Sequence, residues 1–208
     1  MVYMKDVERA SKTFDSIAEH FDLTRDRPWD EVTEFLRNIE GTIIDLGCGN
    51  GRHSLVAKEL GLEFVCLDAS KRLLDIAKKK TDSYGFYVRS GLKKLPFKNC
   101  SFDHAIYIAA IHHLSEGRID SLREVRRILK NNGKVIVSSW ARELDRWELD
   151  EDEDEIIVPW HKQDGKVVDR FYHLYRLDGL AHDVDQSGLK ILKKFRSGGN
   201  NYVIAKKD

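Results

Sequence analysis

The stretch DLGCGNG, Asp45 to Gly51, sets a carboxylate beside three glycines at alternate positions. Glycines spaced this way let a backbone turn sharply and approach a ligand with no Cβ in between. The pattern is D-x-G-x-G-x-G, not the G-x-G-x-x-G that enters a helix and cradles a pyrophosphate. A carboxylate beside the loop repels a phosphate and attracts an ammonium or a sulfonium. About 20 residues further on, Asp68 closes a second apolar run, where a carboxylate accepts the two hydroxyls of a ribose. S-adenosylmethionine joins an amino acid, a sulfonium, a ribose and an adenine, and carries no phosphate. Gly47 and Gly49 are therefore read as the residues it approaches. Asp45 attracts its positive portion, directly or through water, and Asp68 with Ala69 meets the ribose. The plainer alternative is that both acids cap turns and the glycines only permit a bend.

These residues need a scaffold of alternating strands and helices. GTIIDLG and LEFVCLD are short β-branched runs, and each is followed by a helical pattern. In the first helix, RHSLVAKEL, the stripe is Leu55, Val56 and Leu60. The second, SKRLLDIAKKK, has Ser70 as N-cap. GFYVRS, SFDHAIYIAA and GKVIVSSW supply a third, fourth and fifth strand. A helix with Ile119, Leu122, Val125 and Leu129 on one face precedes the Asn131–Asn132–Gly133 stop. Repeated β-α units predict a parallel sheet covered on both faces. Ahead of it, apolar spacing predicts a helix over Val7–Phe21 and a second helix from Pro28, with Asp30 and Glu31 in its first turn. The acidic ELDEDEDE, Glu148 to Glu155, is read as part of an insertion loop over 141–165, because adjacent carboxylates repel. KVVDRFYHLYR reads as extended and LDGLAHDVDQSG as a helix closed by Gly188. The chain then ends in two strands joined through Gly198–Gly199–Asn200–Asn201.

The 208 residues form one domain on this reading, with 35 basic residues balancing 35 acidic ones, so attraction to a nucleic acid requires a local patch. Cys48, Cys66 and Cys100 are odd in number and lack C-x-x-C spacing, which excludes a disulfide framework or a zinc site in the chain and reads as reduced, semi-buried thiols. No apolar run is long enough to cross a bilayer and no leader opens the sequence, so the expected location is cytoplasmic, away from membranes.

IIDLGCGNG, CLDAS and SFDHAIYIAAIHHL resemble the class I S-adenosylmethionine-dependent methyltransferases. The resemblance implies an α/β, Rossmann-like fold: a seven-stranded, mostly parallel sheet with a C-terminal antiparallel hairpin, and the helices of residues 1–40 over the cofactor site. It places Ser90, Gly91 and Leu92 beside the adenine, with Ser90 where an Asp often accepts the adenine amino group. Ile108 and Ala109 offer carbonyls to the methionine amine. FDSIAEHFDLTRDRPW, AAIHHL, VPW and FYHLYR resemble more narrowly the tRNA wobble-uridine methyltransferases that esterify a 5-carboxymethyl group, including the methyltransferase domain of the AlkB-like tRNA hydroxylase. Phe14 stands where those enzymes usually have Tyr.

That likeness implies attack of a carboxylate oxygen on the sulfonium methyl, with tRNA as partner. A carboxylate is already ionised near pH 7, so positioning replaces a strong base. Arg25 and Arg27 are candidates for the carboxylate or a phosphate. Of His112 and His113, one bonds the loop backbone and the other, preferably His113, faces the acceptor; no ligand pattern supports a metal. Arg170, Tyr172, His173, Tyr175 and Arg176 interleave basic and aromatic residues, as a stacked nucleotide with held phosphates requires, although period two turns half of them into the core. Trp140 and Trp160 either stack on a base or pack inside. Lys190, Lys193, Lys194 and Arg196 add phosphate contacts or are simply solvated. The resemblance further implies a small zinc-containing activator subunit at the edge near the third strand. A small-molecule methyltransferase of the same fold and a non-catalytic cofactor-binding subunit are the alternatives.

Overall fold

The computed structural model describes residues 2–144, 147, 149–150, 153–162 and 164–208, with side chains from residue 7 onward. Glu148, Glu151 and Asp152 of the acidic stretch lie outside the described residues. Two helices, α1 (Val2–Thr24) and α2 (Asp30–Arg37), precede the sheet. Alternation then runs β1 (Thr42–Leu46), α3 (Arg52–Glu59), β2 (Glu63–Asp68), α4 (Lys71–Lys80), β3 (Phe86–Arg89), β4 (Phe102–Ile108), a 3-10 turn (Ile111–His113), α5 (Arg118–Ile128) and β5 (Leu129–Trp140). The remainder is β6 (Glu155–His161), β7 (Val167–His173), α6 (Leu177–Gln186), β8 (Lys190–Ser197) and β9 (Asn200–Lys206).

Seven strands form one sheet in the order β3-β2-β1-β4-β5-β9-β8, parallel up to β5 and antiparallel from there through β9 and β8. The expected architecture is the observed one. Its cause is visible in β1, where Ile43 and Ile44 are both buried and point to opposite faces, as a parallel strand covered on two sides demands. Ile44, Leu46, Tyr107, Val135 and Val203 pack with α5 and α6, whereas Ile43, Phe64, Ile106 and Tyr202 pack with α2, α3 and α4. The turn between β8 and β9 has Gly198 and Gly199 at φ +55° and +78°, the left-handed pair of a two-residue hairpin.

Local expectations shift in four places. The second helix begins at Asp30, with Trp29 as N-cap and Pro28 outside it. In α3 the buried face is His53, Ser54, Val56 and Ala57, and Leu60 caps the helix in solvent. Asn131–Asn132–Gly133 lies inside β5 as a bulge, Asn132 at φ +63°, since Phe102 pairs with Leu129 but His104 pairs with Lys134. The 141–165 segment is not all loop: β6 pairs antiparallel with β7 in a separate two-stranded sheet, and the chain before it is anchored where Arg142 meets Asp154 at 2.8 Å. Cys48 and Cys66 are fully buried and Cys100 is exposed. Among the described residues no helix is long and apolar enough to cross a membrane.

Candidate functional site

The carboxyl ends of β1, β2 and β4 open into a cleft enclosing about 1140 Å³ of empty space, part of it open to solvent, and roofed by α1 through Ala10, Phe14 and Phe21. The glycine loop forms one wall. Gly47, Gly49 and Gly51 have φ of +70°, +56° and +75°, and a Cβ on Gly47 would lie 2.4 Å from the Ala110 Cβ. The amides of this loop are already committed. Gly47 and Cys48 N–H donate to the Leu67 carbonyl at 2.7 and 3.0 Å, and Gly49 N–H donates to Asp68 Oδ2 at 2.9 Å. A loop that spends its N–H groups on the neighbouring strand is not a phosphate cradle.

Asp68 stands at the end of β2 and lines the cleft. Its second oxygen accepts Ser70 N–H at 2.8 Å, so two backbone amides fix the carboxylate, and each oxygen keeps acceptor capacity toward the cleft. Burial raises its pKa, and these backbone bonds oppose the rise. Asp45 behaves differently. It is 1% exposed, accepts the Ser54 hydroxyl at 2.7 Å, and has its pKa pushed up to about 7 by desolvation. It supports the loop from behind and does not line the cleft, so the expected direct attraction of a ligand cation is not the geometry found. Opposite, Ala109 holds a left-handed φ of +51°, fixed by bonds from its N–H to the Ser138 carbonyl and hydroxyl. Such a conformation costs a residue with a Cβ about 1–2 kcal/mol, and here it turns the end of β4 into the cleft wall.

At the far end of the same cleft the chemistry is basic and aromatic. Alternation along β7 sends Arg170 and Tyr172 inward, with Phe171 and His173 on the other face. Arg170 is 6% exposed; its Nη1 donates to the Tyr172 hydroxyl at 2.6 Å, and its guanidinium lies 4.6 Å from the centre of the Trp160 ring. Arg25 approaches Trp160 from α1's end at 5.5 Å. Trp140 stacks on Tyr172 at 4.2 Å and 10°.

The two histidines complete this end, and both bond backbone. Trp140 N–H donates to His112 Nδ1 at 3.1 Å, which places the ring proton on Nε2. His113 Nδ1 donates to the Phe171 carbonyl at 3.0 Å and leaves Nε2 bare. Desolvation drives His112 well below the ordinary histidine range and His113 down to about 4, so both are neutral at pH 7. Both line the cleft. The expected division is one structural ring and one facing an acceptor; in this geometry both rings bond backbone and both border the cleft.

Residues 44–137 match the model of a methyltransferase domain. A protein of Encephalitozoon cuniculi named as a methyltransferase is 35% identical over 191 residues, covering 86% of each chain. The tRNA (carboxymethyluridine(34)-5-O)-methyltransferase of Schizosaccharomyces pombe is 30% identical over 97% of each chain. The chain belongs to the S-adenosylmethionine-dependent methyltransferases. In fold, this methyltransferase also matches a Haloferax volcanii methyltransferase solved in complex with the Trm112 methyltransferase activator, at a TM-score of 0.73 and 17% identity, over 95% of this chain and 96% of that one.

The residues of the methyltransferase cleft fit the donor. Asp68 offers a fixed carboxylate to a diol, and Ala69, Leu73, Gly91 and Leu92 make an apolar slot beside it. Ile108 and Ala109 also line the cleft. Ser90 does not: its hydroxyl donates to the Gly91 carbonyl at 3.2 Å. Arg27 is exposed outside the cleft, where its carbonyl accepts from Arg52. His173 and Arg176 border a separate hollow with Arg118 and Asp183, because β7 presents them to its other face and to the start of α6. Tyr175 is core and donates to Asp183. Trp160 is packed, donating to His20 Nδ1 at 3.0 Å, and Trp140 is stacked between side chains. Lys190, Lys194 and Arg196 meet Asp208, Asp178 and Glu143, and Lys193 covers Phe195.

Sequence reasoning missed Asn50, inside the glycine motif, Arg52, just after it, and the α1 carboxylates. Asn50 is buried, and its amide donates to Asp22 and the Arg25 carbonyl. Arg52 lies over Trp29 at 4.6 Å, with its pKa lowered to about 10 by burial. Asp15 accepts the Ser70 hydroxyl at 2.6 Å and Arg72 N–H at 3.0 Å, capping α4 from another element. A capping acid remote in sequence leaves no local signal.

Proposed function

We propose that this methyltransferase esterifies the carboxymethyl group of a tRNA wobble uridine, using S-adenosylmethionine. The observation that carries the reading is one continuous cleft lined both by the fixed carboxylate of Asp68 and by the cations of Arg25 and Arg170, beside histidines that stay neutral at pH 7. The name of the S. pombe relative supports the acceptor. When bound, the donor supplies an electrophilic methyl group on sulfur. Asp68 would hold the ribose, the end of β4 at Ala109 would meet the methionine portion, and α1 would cover the bound donor. No step needs a base in the cleft, since the acceptor is an ionised carboxylate. Alignment of the two reactants is the main contribution available, roughly 7–11 kcal/mol in favourable cases.

We further propose a partner. β3 is the outer strand of the sheet, with Phe86 73% exposed, and an unpaired apolar edge suits pairing with a small activator subunit. The Haloferax complex supports such a subunit, and any zinc would belong to it. A cytoplasmic location agrees with both partners.

The test is nucleoside mass spectrometry of tRNA incubated with isotopically labelled donor, with and without a Trm112-type activator. Label in the methyl ester of 5-carboxymethyluridine is expected. Label confined to small metabolites, or none with the activator present, would reverse the reading in favour of the two alternatives.

A further inference from the structure

Arg170 is more buried than a guanidinium normally is without a carboxylate, and among the described residues no carboxylate pairs with it. Its hydrogen-bond partner is a neutral phenol, its neighbours are the rings of Trp160, Tyr172 and Trp140, and the nearby charge of Arg25 is of the same sign. Nε is buried with no acceptor. Such an arrangement costs stability, since a charge removed from water is unfavourable unless something neutralises it. The bonds that fix Asp68 and the glycine loop do not involve Arg170, so the donor side of the cleft leaves the cost unexplained.

The geometry shows which part of the group is unused. Tyr172 holds Nη1, the centre of the Trp160 ring lies 4.6 Å from the guanidinium carbon and Nε is buried, which leaves Nη2 and the positive charge to meet an anion in the cleft. Resting on the proposed carboxylate acceptor, we propose that Arg170 is the specificity-determining residue of the reaction: its charge and Nη2 hold the carboxylate and reject the neutral primary amide of the same shape. An amide would leave the buried cation uncompensated. Arg25 is half-buried and so discriminates less.

A second consequence follows from the charge balance. One carboxylate oxygen forms the new C–O bond, the C–S bond breaks, its electron pair goes to sulfur, and no proton moves. The acceptor's charge falls as the transition state forms and is gone in the ester. A guanidinium that holds the anion therefore stabilises the bound substrate at least as much as the transition state, acts mainly on KM, and loses its hold on the product.

The test uses the full chain with a Trm112-type activator and two anticodon stem-loops that carry 5-carboxymethyluridine or 5-carbamoylmethyluridine at the wobble position, with the acid-over-amide preference read as binding in the presence of the demethylated donor product and KM and kcat read with S-adenosylmethionine. The unchanged protein is expected to prefer the acid on the order of tenfold to a hundredfold. Arg170→Met is expected to lose that preference and to raise the KM for the acid by a similar factor, with a much smaller change in kcat. Its Tm without acceptor is expected to hold or rise, because an unpaired buried charge is removed. Arg170→Lys keeps the charge without Nη2 and is expected to fall between the two. If the unchanged protein methylates the acid but Arg170→Met, folded by its Tm, keeps the preference or loses kcat at unchanged KM, the assignment to Arg170 is overturned and the proposed function stands. If the unchanged protein does not methylate the acid at all, the proposed function falls and this assignment with it.

Discussion

Asp68→Asn separates the two things Asp68 does. In the folded chain, Oδ2 and Oδ1 accept from Gly49 and Ser70 N–H at 2.9 and 2.8 Å, and the remaining lone pairs face the cleft. The amide keeps the shape but has one acceptor oxygen, so one backbone N–H loses its partner. That costs about 1–3 kcal/mol, which for a domain of this size lowers Tm by roughly 2–4 °C per kcal/mol. On the ligand side, one ribose hydroxyl loses a bond to a charged group, worth about 1.5–3 kcal/mol, or roughly tenfold to a hundredfold in Kd. The assay is calorimetry with S-adenosylmethionine and its demethylated product, beside thermal unfolding. Asp103→Asn is the control. Asp103 also accepts a backbone N–H, from Thr42 at 3.0 Å, and pairs with Lys130, but at the opposite end of the sheet. It is expected to lower Tm with no effect on Kd. If Asp68→Asn lowers Tm as Asp103→Asn does and leaves Kd within about twofold of the unchanged protein, Asp68 holds only the loop, and the ribose assignment is wrong.

Three further outcomes follow. Asp45 has a folded pKa of about 7 against 3.8 unfolded, so the native state holds its proton between those values, and this group's contribution to stability falls as pH rises from about 4 to about 7 and is flat above. Asp45→Asn, compared with the unchanged protein by urea unfolding across that window, is expected to gain in relative stability toward pH 8, on the order of 4 kcal/mol at most; a constant difference across the window refutes the buried, protonated carboxyl. His113 has the opposite sign: with its folded pKa lowered to about 4, its stabilisation is complete above about 6.5 and is lost as pH falls toward 4. Turnover is accordingly expected to be flat from pH 6 to 8, and an ionisation near 6.5 that vanishes in His113→Gln would count against a neutral pair. Gly47→Ala is expected to cost more than 1 kcal/mol in unfolding, since its Cβ would sit 2.4 Å from the Ala110 Cβ at a φ of +70°, and an unchanged Tm would mean that the loop relaxes freely.

Those residues also mark what could be read in advance. The sheet and its order of elements were legible because parallel strands covered on both faces must be apolar runs, and TIIDL, FVCLD and AIYI are such runs. That Asp68, Gly47, Gly49 and Ala109 would border one cleft was legible because a strand end fixes a position. Asp45 and Ser90 do not line the cleft for a shared reason: both are within reach of it along the chain, but side-chain direction decides whether a residue faces the cleft or its own neighbours. Ser54 and the Gly91 carbonyl settle those directions, and neither is a feature of a motif. His173 fell to strand alternation, which divides any run of basic and aromatic residues between two faces, and Arg176 fell because β7 ends at His173 and Arg176 caps α6. The same rule brings Arg170 and Tyr172 together, since they are two positions apart on β7.

The roof of the cleft joins its two ends. On the donor side, Asp15 caps α4 immediately after Asp68, and Asp22 accepts from Asn50 of the glycine loop at 2.8 Å and from Lys80 at 2.6 Å. On the acceptor side, Arg9 lies 4.9 Å from the Phe171 ring on β7, and His20 accepts from the Trp160 indole beneath Arg170. α1 therefore sets its acids against α4 and the glycine loop, and makes its basic and aromatic contacts with β6 and β7. A single helix bonded to both halves cannot leave one without straining its contacts with the other. The shape of the space between Asp68 and Arg170 is a property of that helix as much as of the sheet beneath it, and a carboxylate stripped of water there would be a more effective nucleophile toward a methyl group.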